Sequence, residues 1–137
     1  MADNKKKLTN KLAVLQVLAC LMKNPLLCNR PEYTLTMDDF TEQFHRILFG
    51  AISNLATSGL KTITHIDVDQ YLAQYPIQYK VFTDNRGVEY VIKALEIAEE
   101  RNFPYYYTTL KKMSLLNKLV EQGFDISDFY DDNVVDP

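Results

Sequence analysis

Residues 36–59 place the strongest constraint on how this chain folds. Their apolar side chains recur at steps of three and four, which puts them on one face of an α-helix. Thr36 and Asp39 predict a capping box at its start, and Gly59 predicts a left-handed end. The segment therefore predicts a core helix, and Gly50 inside it indicates that another backbone packs closely there. The apolar face comprises Phe40, Phe44, Ile47, Leu48, Ala51, Ile52 and Leu55.

A second apolar helix is predicted before this one, over residues 9–23, and Asn24-Pro25 stops it. Its apolar side chains cover a wide arc, so we expect it to be buried on more than one side. At eleven residues, the apolar run 12–22 is too short to cross a bilayer. The arc is formed by Leu8, Leu12, Leu15, Leu18, Ala19 and Met22, widened by Val14, Val17 and Leu21.

The middle of the chain predicts two further helices separated by an ambiguous stretch. Thr64 and Asp67 resemble a second capping box, and Pro76 is expected to end the helix that begins there. Residues 77–87 favour a hairpin-like excursion or a loop. Helical spacing returns over 88–100, with an inward face of Val88, Val91, Ile92, Leu95 and Ala98.

The last predicted helix spans residues 104–122, with Pro104 in its first turn and Gly123 just after its end. Its apolar residues form two faces, and a helix with two apolar faces at the edge of a domain indicates a partner on the second. Tyr105, Leu116 and Leu119 form one face, and Tyr106, Leu110, Met113 and Val120 form the other. The predicted partner interface consists of Tyr106, Leu110, Met113, Leu116 and Val120.

Together these patterns predict an all-α domain, a compact bundle of five or six helices over residues 9–123. Residues 1–8 are expected to be disordered, and 124–137 to form an acidic tail or the start of a linker. Within that tail, Ile126, Phe129 and Tyr130 could form one further short turn.

Composition limits the classes of function. The net charge of −3 and the four arginines argue against a domain that mainly neutralises phosphates. Cys20 and Cys28 match no zinc or redox spacing, which fits a reducing, cytoplasmic setting. No sequence feature indicates a membrane segment.

Motifs for catalysis are missing from the sequence. It contains no glycine-rich phosphate loop, no serine-nucleophile elbow and no zinc-protease helix motif. Glu42 and His45 form one ExxH, half of a di-iron site, but His65 has Thr62 where the second glutamate should stand. The run 105–107 of three tyrosines could stack on bases, although packing against another helix is the simpler interpretation. We therefore expect no catalytic, cofactor-binding or metal-binding residue in this chain.

Read in series, several segments are similar to one protein family. Residues 17–27, VLACLMKNPLL, resemble an opening helix of pattern VLGxLLxxPxxL, with Ala19 at the usual glycine. Asp39-Phe40, His45, Leu48-Phe49 and Gly59 match a DF…H..IF…G series, and Ile66-Asp67-Val68 with Leu72 resembles the next helix of the family. Residues 87–91, GVEYV, and 106–119, YYTTLKKMSLLNKL, resemble GGxxYL and YAxIVxExxLLRxLI, with Asn117 at the usual basic position. These residues resemble the N-terminal domain of DnaB-type replicative DNA helicases, in a divergent form such as a phage or mobile element carries.

The resemblance implies a non-catalytic interaction domain that oligomerises, contacts primase or a helicase loader, and meets nucleic acid at most indirectly. ATP and Mg would bind only to an ATPase domain further along, and the long last helix would form a hairpin. One alternative is a stand-alone replication adaptor or regulatory protein of the same fold, binding a helicase or single-stranded DNA through Lys5–Lys7 and the tyrosines. Another is a metal-dependent enzyme that uses Glu42 and His45.

Overall fold

The computed structural model describes residues 9–123, and the expectations for 1–8 and 124–137 lie outside them. The described part contains six α-helices and no β-strand, so the all-α prediction is confirmed for it. Three short 3₁₀ helices, Pro25–Asn29, Met37–Asp39 and Glu100–Asn102, lie in the connections. The α-helices are α1 Lys11–Lys23, α2 Gln43–Thr57, α3 His65–Leu72, α4 Pro76–Asp84, α5 Gly87–Ile97 and α6 Phe103–Glu121.

Helix α1 is the centre of the bundle. It packs against α2, α5 and α6, and nine of its side chains are buried, which confirms the prediction of burial on more than one side. Gln16 is among them at 2% exposure. Its amide donates to the Ile97 carbonyl at 2.8 Å and accepts from the Glu99 backbone N–H at 2.9 Å. One buried polar side chain therefore satisfies the backbone where α5 ends. Leu12, predicted to face inward, is 52% exposed, because the first turn of α1 contacts the core through its other side, where Ala13 and Val14 are buried.

The predicted helix 36–59 is wrong at its start. The capping box forms between Thr36 and Asp39, but it opens a three-residue 3₁₀ helix, and α2 begins only at Gln43. Phe40 lies between them in extended backbone, fully buried, with its ring 5.1 Å from that of Phe49. The chain therefore leaves the helical conformation at Phe40, and this places the Phe40 side chain in the core. At the other end, Gly59 has φ +88° as predicted.

The expectation of a close backbone at Gly50 is also wrong. The nearest atom that a Cβ there would meet is the terminal methyl of Met37, at 4.0 Å. Gly50 lies instead on the wall of a surface groove.

The stretch 77–87 is neither a hairpin nor a loop. It forms most of α4, and Pro76 occupies the first turn of that helix instead of ending the one before. Proline suits this position because its fixed φ is helical and its missing N–H would have no partner there. Helix α3 does begin with the predicted Thr64–Asp67 capping box, in which the Thr64 N–H donates to the Asp67 carboxylate at 2.9 Å.

A tight turn joins α4 to α5. Arg86 has φ +53°, a left-handed conformation, and Gly87 comes next as the first residue of α5. A Cβ on Gly87 would overlap the buried ring of Phe82, so this position requires glycine. Within α5, Val91 is buried as predicted, whereas Ile92, expected inward, is 39% exposed.

Helix α6 has the boundaries that the sequence indicated. Pro104 lies in its first turn, and Gly123 comes after its end with φ +91°. Its first half packs on α1, and its length carries it past the main core. There, Met113 and Leu116 form a second, smaller apolar cluster with Leu119 and Val120.

Candidate interaction surface

A buried carboxylate fastens α6 to the rest of the domain. Asp39 is 3% exposed and accepts hydrogen bonds from the Ser114 hydroxyl at 2.8 Å and the Lys111 ammonium at 3.1 Å. The Thr36 backbone N–H donates to the same carboxylate at 2.9 Å. A buried charge is tolerated when several donors surround it, and here two of them come from α6. The Asp39 cluster (Asp39, Lys111, Ser114) therefore sets where the middle of α6 lies.

Aromatic side chains extend this attachment toward the start of α6. The Tyr33 ring meets the rings of Phe103 and Tyr107 edge-on, at centroid distances of 4.8 and 4.9 Å. The Tyr107 hydroxyl accepts from the Thr34 backbone N–H at 3.1 Å, and Lys111 donates to the Thr34 carbonyl at 2.9 Å. Segment 33–39 thus runs along one side of α6 and leaves another side of the helix to solvent.

The structure places most of the predicted interface residues in the interior. Exposure is 9% for Tyr106, 3% for Leu110, 2% for Met113 and 4% for Leu116, and Val120 is half-buried. Tyr106 and Leu110 belong to the main core, and the other three to the second cluster. Side chains this well covered offer little surface to a partner. The interface itself stays a prediction, but these five residues do not form the solvent-exposed face of α6.

The solvent-exposed face of α6 carries two large apolar side chains, Tyr105 at 59% exposure and Leu115 at 58%. Thr108 and Lys112 lie between them on the same side, also exposed. We call Tyr105, Thr108, Lys112 and Leu115 the α6 stripe. A signal for this face was present in the sequence, because polar residues at 108 and 112 share helical spacing with Tyr105 and Leu115.

A groove on another side of the domain is the second candidate surface. It lies between α2 on one side and α3 and α4 on the other, with a volume of about 520 Å³. Three of its apolar side chains are substantially exposed: Met37 at 48%, Tyr75 at 44% and Ile77 at 76%. Sequence reasoning missed this groove because it expected no helix over 77–84, and α4 supplies one wall.

The three consecutive tyrosines do not form a row. Tyr105 is exposed, Tyr106 is buried and donates to Glu99 at 3.2 Å, and Tyr107 packs against Phe103 and Tyr33. A base could reach only the first of them without rearrangement. Of the adaptor's proposed DNA contacts, Lys5–Lys7 lie outside the described residues.

The ExxH pair lies at the start of α2. The Nδ1 atom of His45 is 3.8 Å from the Glu42 carboxylate, and within residues 9–123 no group of three or more metal-ligating side chains comes together. Burial raises the pKa of the Cys20 thiol to about 11 and raises the pKa of Cys28, which keeps both thiols in their neutral form. None of the described helices is long and apolar enough to cross a membrane.

Comparison with known proteins agrees with this architecture. Residues 8–112 match the family described as the DnaB-like helicase N terminal domain. The chain is also 45% identical over 131 residues to the SPbeta prophage-derived uncharacterized protein YorI of Bacillus subtilis (strain 168). That alignment covers 95% of this chain and 26% of the relative, so the chain spans about a quarter of the relative's length. No solved structure matches.

The described residues form an all-α bundle with exposed apolar side chains on α6 and beside α4. The chain belongs to the DnaB-like helicase N-terminal domain family, of the phage type, as its resemblance to that family indicated. A domain of this family is associated with a replicative helicase, makes protein–protein contacts there and carries no catalysis itself.

Proposed function

We propose that this chain is the N-terminal interaction domain of a phage-type replicative DNA helicase. In this role it self-associates as a dimer or larger oligomer, and it contacts a primase or a helicase loader in the cytoplasm. The observation that carries the proposal is the family match over residues 8–112. The greater length of the prophage relative is compatible with an ATPase domain further along, where ATP and Mg would bind.

The α6 stripe is the surface that we assign to self-association. Its two large apolar residues are more than half exposed and lie on the helix that the Asp39 cluster holds in a fixed orientation. An exposed apolar patch on a rigid helix suits the core of a protein interface. A charge placed in such a core would be desolvated without a partner.

Sedimentation velocity over a range of concentrations tests this assignment. The parent chain should associate, and Leu115→Glu and Tyr105→Glu should shift it toward monomer. Ile66→Glu is the matched control, because Ile66 is 54% exposed on α3, outside the stripe. A parent chain that stays monomeric at high concentration, or stripe variants that associate like the control, would contradict self-association through this face.

The groove beside α4 is the surface that we assign to the primase or loader. Three of its exposed residues are large and apolar, and no residue of α6 lines it, so the two contacts need not compete. Ile77→Glu should abolish capture of the primase encoded by the same replicon and leave sedimentation unchanged. If capture depends on Leu115 and not on Ile77, the assignments of the two surfaces are reversed.

A further inference from the structure

A second pocket, separate from both candidate surfaces, lies where α1, α2 and α5 meet. It has a volume of about 330 Å³. Three aromatic rings form its walls: those of Phe44 and Tyr90 meet edge-on at 5.0 Å, and the imidazole of His45 lies 5.9 Å from Tyr90. The ammonium of Lys11 and the side chains of Glu42 and Asn85 complete the lining. The pocket thus combines an aromatic interior with polar groups.

Several polar groups of this pocket have no hydrogen-bond partner within residues 9–123. His45 is 9% exposed, and its shortest polar approach is the 3.8 Å to Glu42, which is beyond hydrogen-bond distance. No described residue hydrogen-bonds the Tyr90 hydroxyl or forms an ion pair with Lys11. Lys11 is exposed and Tyr90 is half-buried, and among the described residues no fully buried side-chain nitrogen or oxygen lacks a hydrogen-bond partner. These groups therefore reach solvent through the pocket, where a ligand could replace the water.

The unpartnered groups are mostly donors. Burial and the nearby Glu42 carboxylate raise the pKa of the Tyr90 hydroxyl far above its ordinary value, so it stays protonated and can donate. The Lys11 ammonium donates only, and a protonated imidazole donates from both nitrogens. Convergent donors beside aromatic walls fit an acceptor with an apolar body.

The net charge of the pocket indicates whether the bound acceptor is neutral or negatively charged. With His45 neutral, Lys11 and Glu42 cancel, and the pocket has no net charge. Desolvation by burial opposes a proton on His45, Glu42 favours it, and Lys11 opposes it to a smaller extent, so that the pKa of His45 is lowered. An anion entering the pocket would add to the effect of Glu42, and with His45 protonated the pocket would carry one positive charge to match it.

We propose that this pocket binds a carboxylate carried on an aromatic or other apolar group, and that binding draws a proton from solvent onto His45. The groups facing His45 are Lys11 of α1, Glu42 before α2, Asn85 between α4 and α5, and Tyr90 of α5. The carboxylate could belong to a free small acid or to an acidic side chain of a protein. Both sources present the same chemistry to the pocket.

NMR titration of the full chain tests the proposal, with phenylacetate as the probe for a free acid and the blocked dipeptide acetyl-Phe-Asp-amide as the probe for a protein side chain. The imidazole resonances of His45 should move, while those of His65, the only other histidine, provide an internal reference. Phenylacetamide has the same shape without the charge and should not bind. Because binding takes up one proton, affinity should rise by up to about tenfold for each unit by which pH falls between 8 and 6.

Two substitutions identify the pocket. Tyr90→Phe and Lys11→Met should each weaken binding about fivefold or more, as the loss of one hydrogen bond or charge predicts. Lys80→Met is the matched control, because Lys80 is exposed on α4 and pairs with Asp84. Binding of either probe with this pattern supports the proposal, and the stronger probe identifies the source. No binding, equal movement of His65, equal binding of the amide, or affinity that does not change with pH would overturn it.

Discussion

The chain contains the same capping motif twice, and the two copies have different consequences. At Thr64 the motif opens α3, with Asp67 half-buried and, among residues 9–123, hydrogen-bonded to Thr64 alone. At Thr36 it opens a three-residue 3₁₀ helix that stops, and Asp39 is buried against α6. The motif specifies one turn in both places. The path of the chain beyond that turn depends on contacts from distant residues. At the second copy, Lys111 and Ser114 of α6 hydrogen-bond the Asp39 carboxylate, so that this carboxylate joins the turn to α6.

The largest expected effect is a difference in the free energy of unfolding between alanine variants of the two aspartates. Asp39→Ala should lower the free energy of unfolding by about 2–4 kcal/mol, since it removes the acceptor of the buried Ser114 hydroxyl and the charged partner of Lys111, which keeps only the Thr34 carbonyl. Asp67→Ala removes only a cap and should cost about 1 kcal/mol. Urea unfolding followed by circular dichroism measures both. Equal losses would show that Asp39 acts as a cap alone.

A pair of glycines gives the same contrast between local and distant constraints. Gly87→Ala should cost about 1–3 kcal/mol, because the new Cβ overlaps the buried Phe82 ring. At Gly59, φ is +88° and nothing lies within 4 Å of an added Cβ, so alanine costs only about 1 kcal/mol of backbone strain.

Thermal unfolding of the two alanine variants shows which of them loses more stability. Combining Gly87→Ala with Phe82→Leu serves as the control, since a smaller side chain at 82 should recover part of the loss if overlap is the cause. Failure to recover would place the cost in the backbone of the α4–α5 turn.

A double-mutant cycle sharpens the role of the Asp39 cluster. Asp39→Asn and Lys111→Met should show a coupling of about 1–2 kcal/mol, below that of a fully buried pair because the Lys111 side chain is 35% exposed. The pair Lys80 and Asp84, exposed on α4, should couple by less than about 0.5 kcal/mol. Similar coupling energies in the two cycles would mean that the burial of Asp39 does not strengthen its interaction with Lys111.

These contrasts explain how far the sequence could predict the fold. The start of α3, the proline in the first turn of α6 and the left-handed glycines at 59 and 123 depend on neighbours in sequence, and the predictions for them are confirmed. The turn from 36 to 42 depends on the burial of Phe40 and on Lys111, 72 residues beyond Asp39. No local pattern contains that information.

Helix α4 and the α6 surface were missed for related reasons. A proline is compatible with the end of one helix and with the start of the next. The contacts that bury Phe82 and stabilise helix 76–84 come from other elements, α2, α3 and α5. Periodicity groups Tyr106, Leu110 and Met113 on one face of α6 but does not say whether that face meets the core or a partner. The family match supplied the class of protein, while the exposed positions needed the coordinates.

The smallest expected effect concerns His45, whose environment also comes from distant segments. Burial lowers the pKa of His45 in the folded chain below the ordinary value of 6.5, although Glu42 opposes this. As pH falls through about 6.5, the unfolded chain therefore takes up a proton before the folded one, and the folded state loses stability. Above that pH both states are neutral, and the residue makes no pH-dependent contribution.

Urea unfolding of the parent and His45→Gln across pH 5–8 isolates this contribution, because His65 is present in both chains and its effect is common to the two curves. The stability difference between them should change as pH falls through about 6.5, with the parent losing more toward acid pH. An excess of phenylacetate should reduce that loss if binding places a proton on His45, because the ligand then stabilises the protonated folded chain. If the two curves stay parallel with and without the acid, His45 titrates alike in the folded and unfolded chains, and the pocket between α1, α2 and α5 exerts no net effect on its charge.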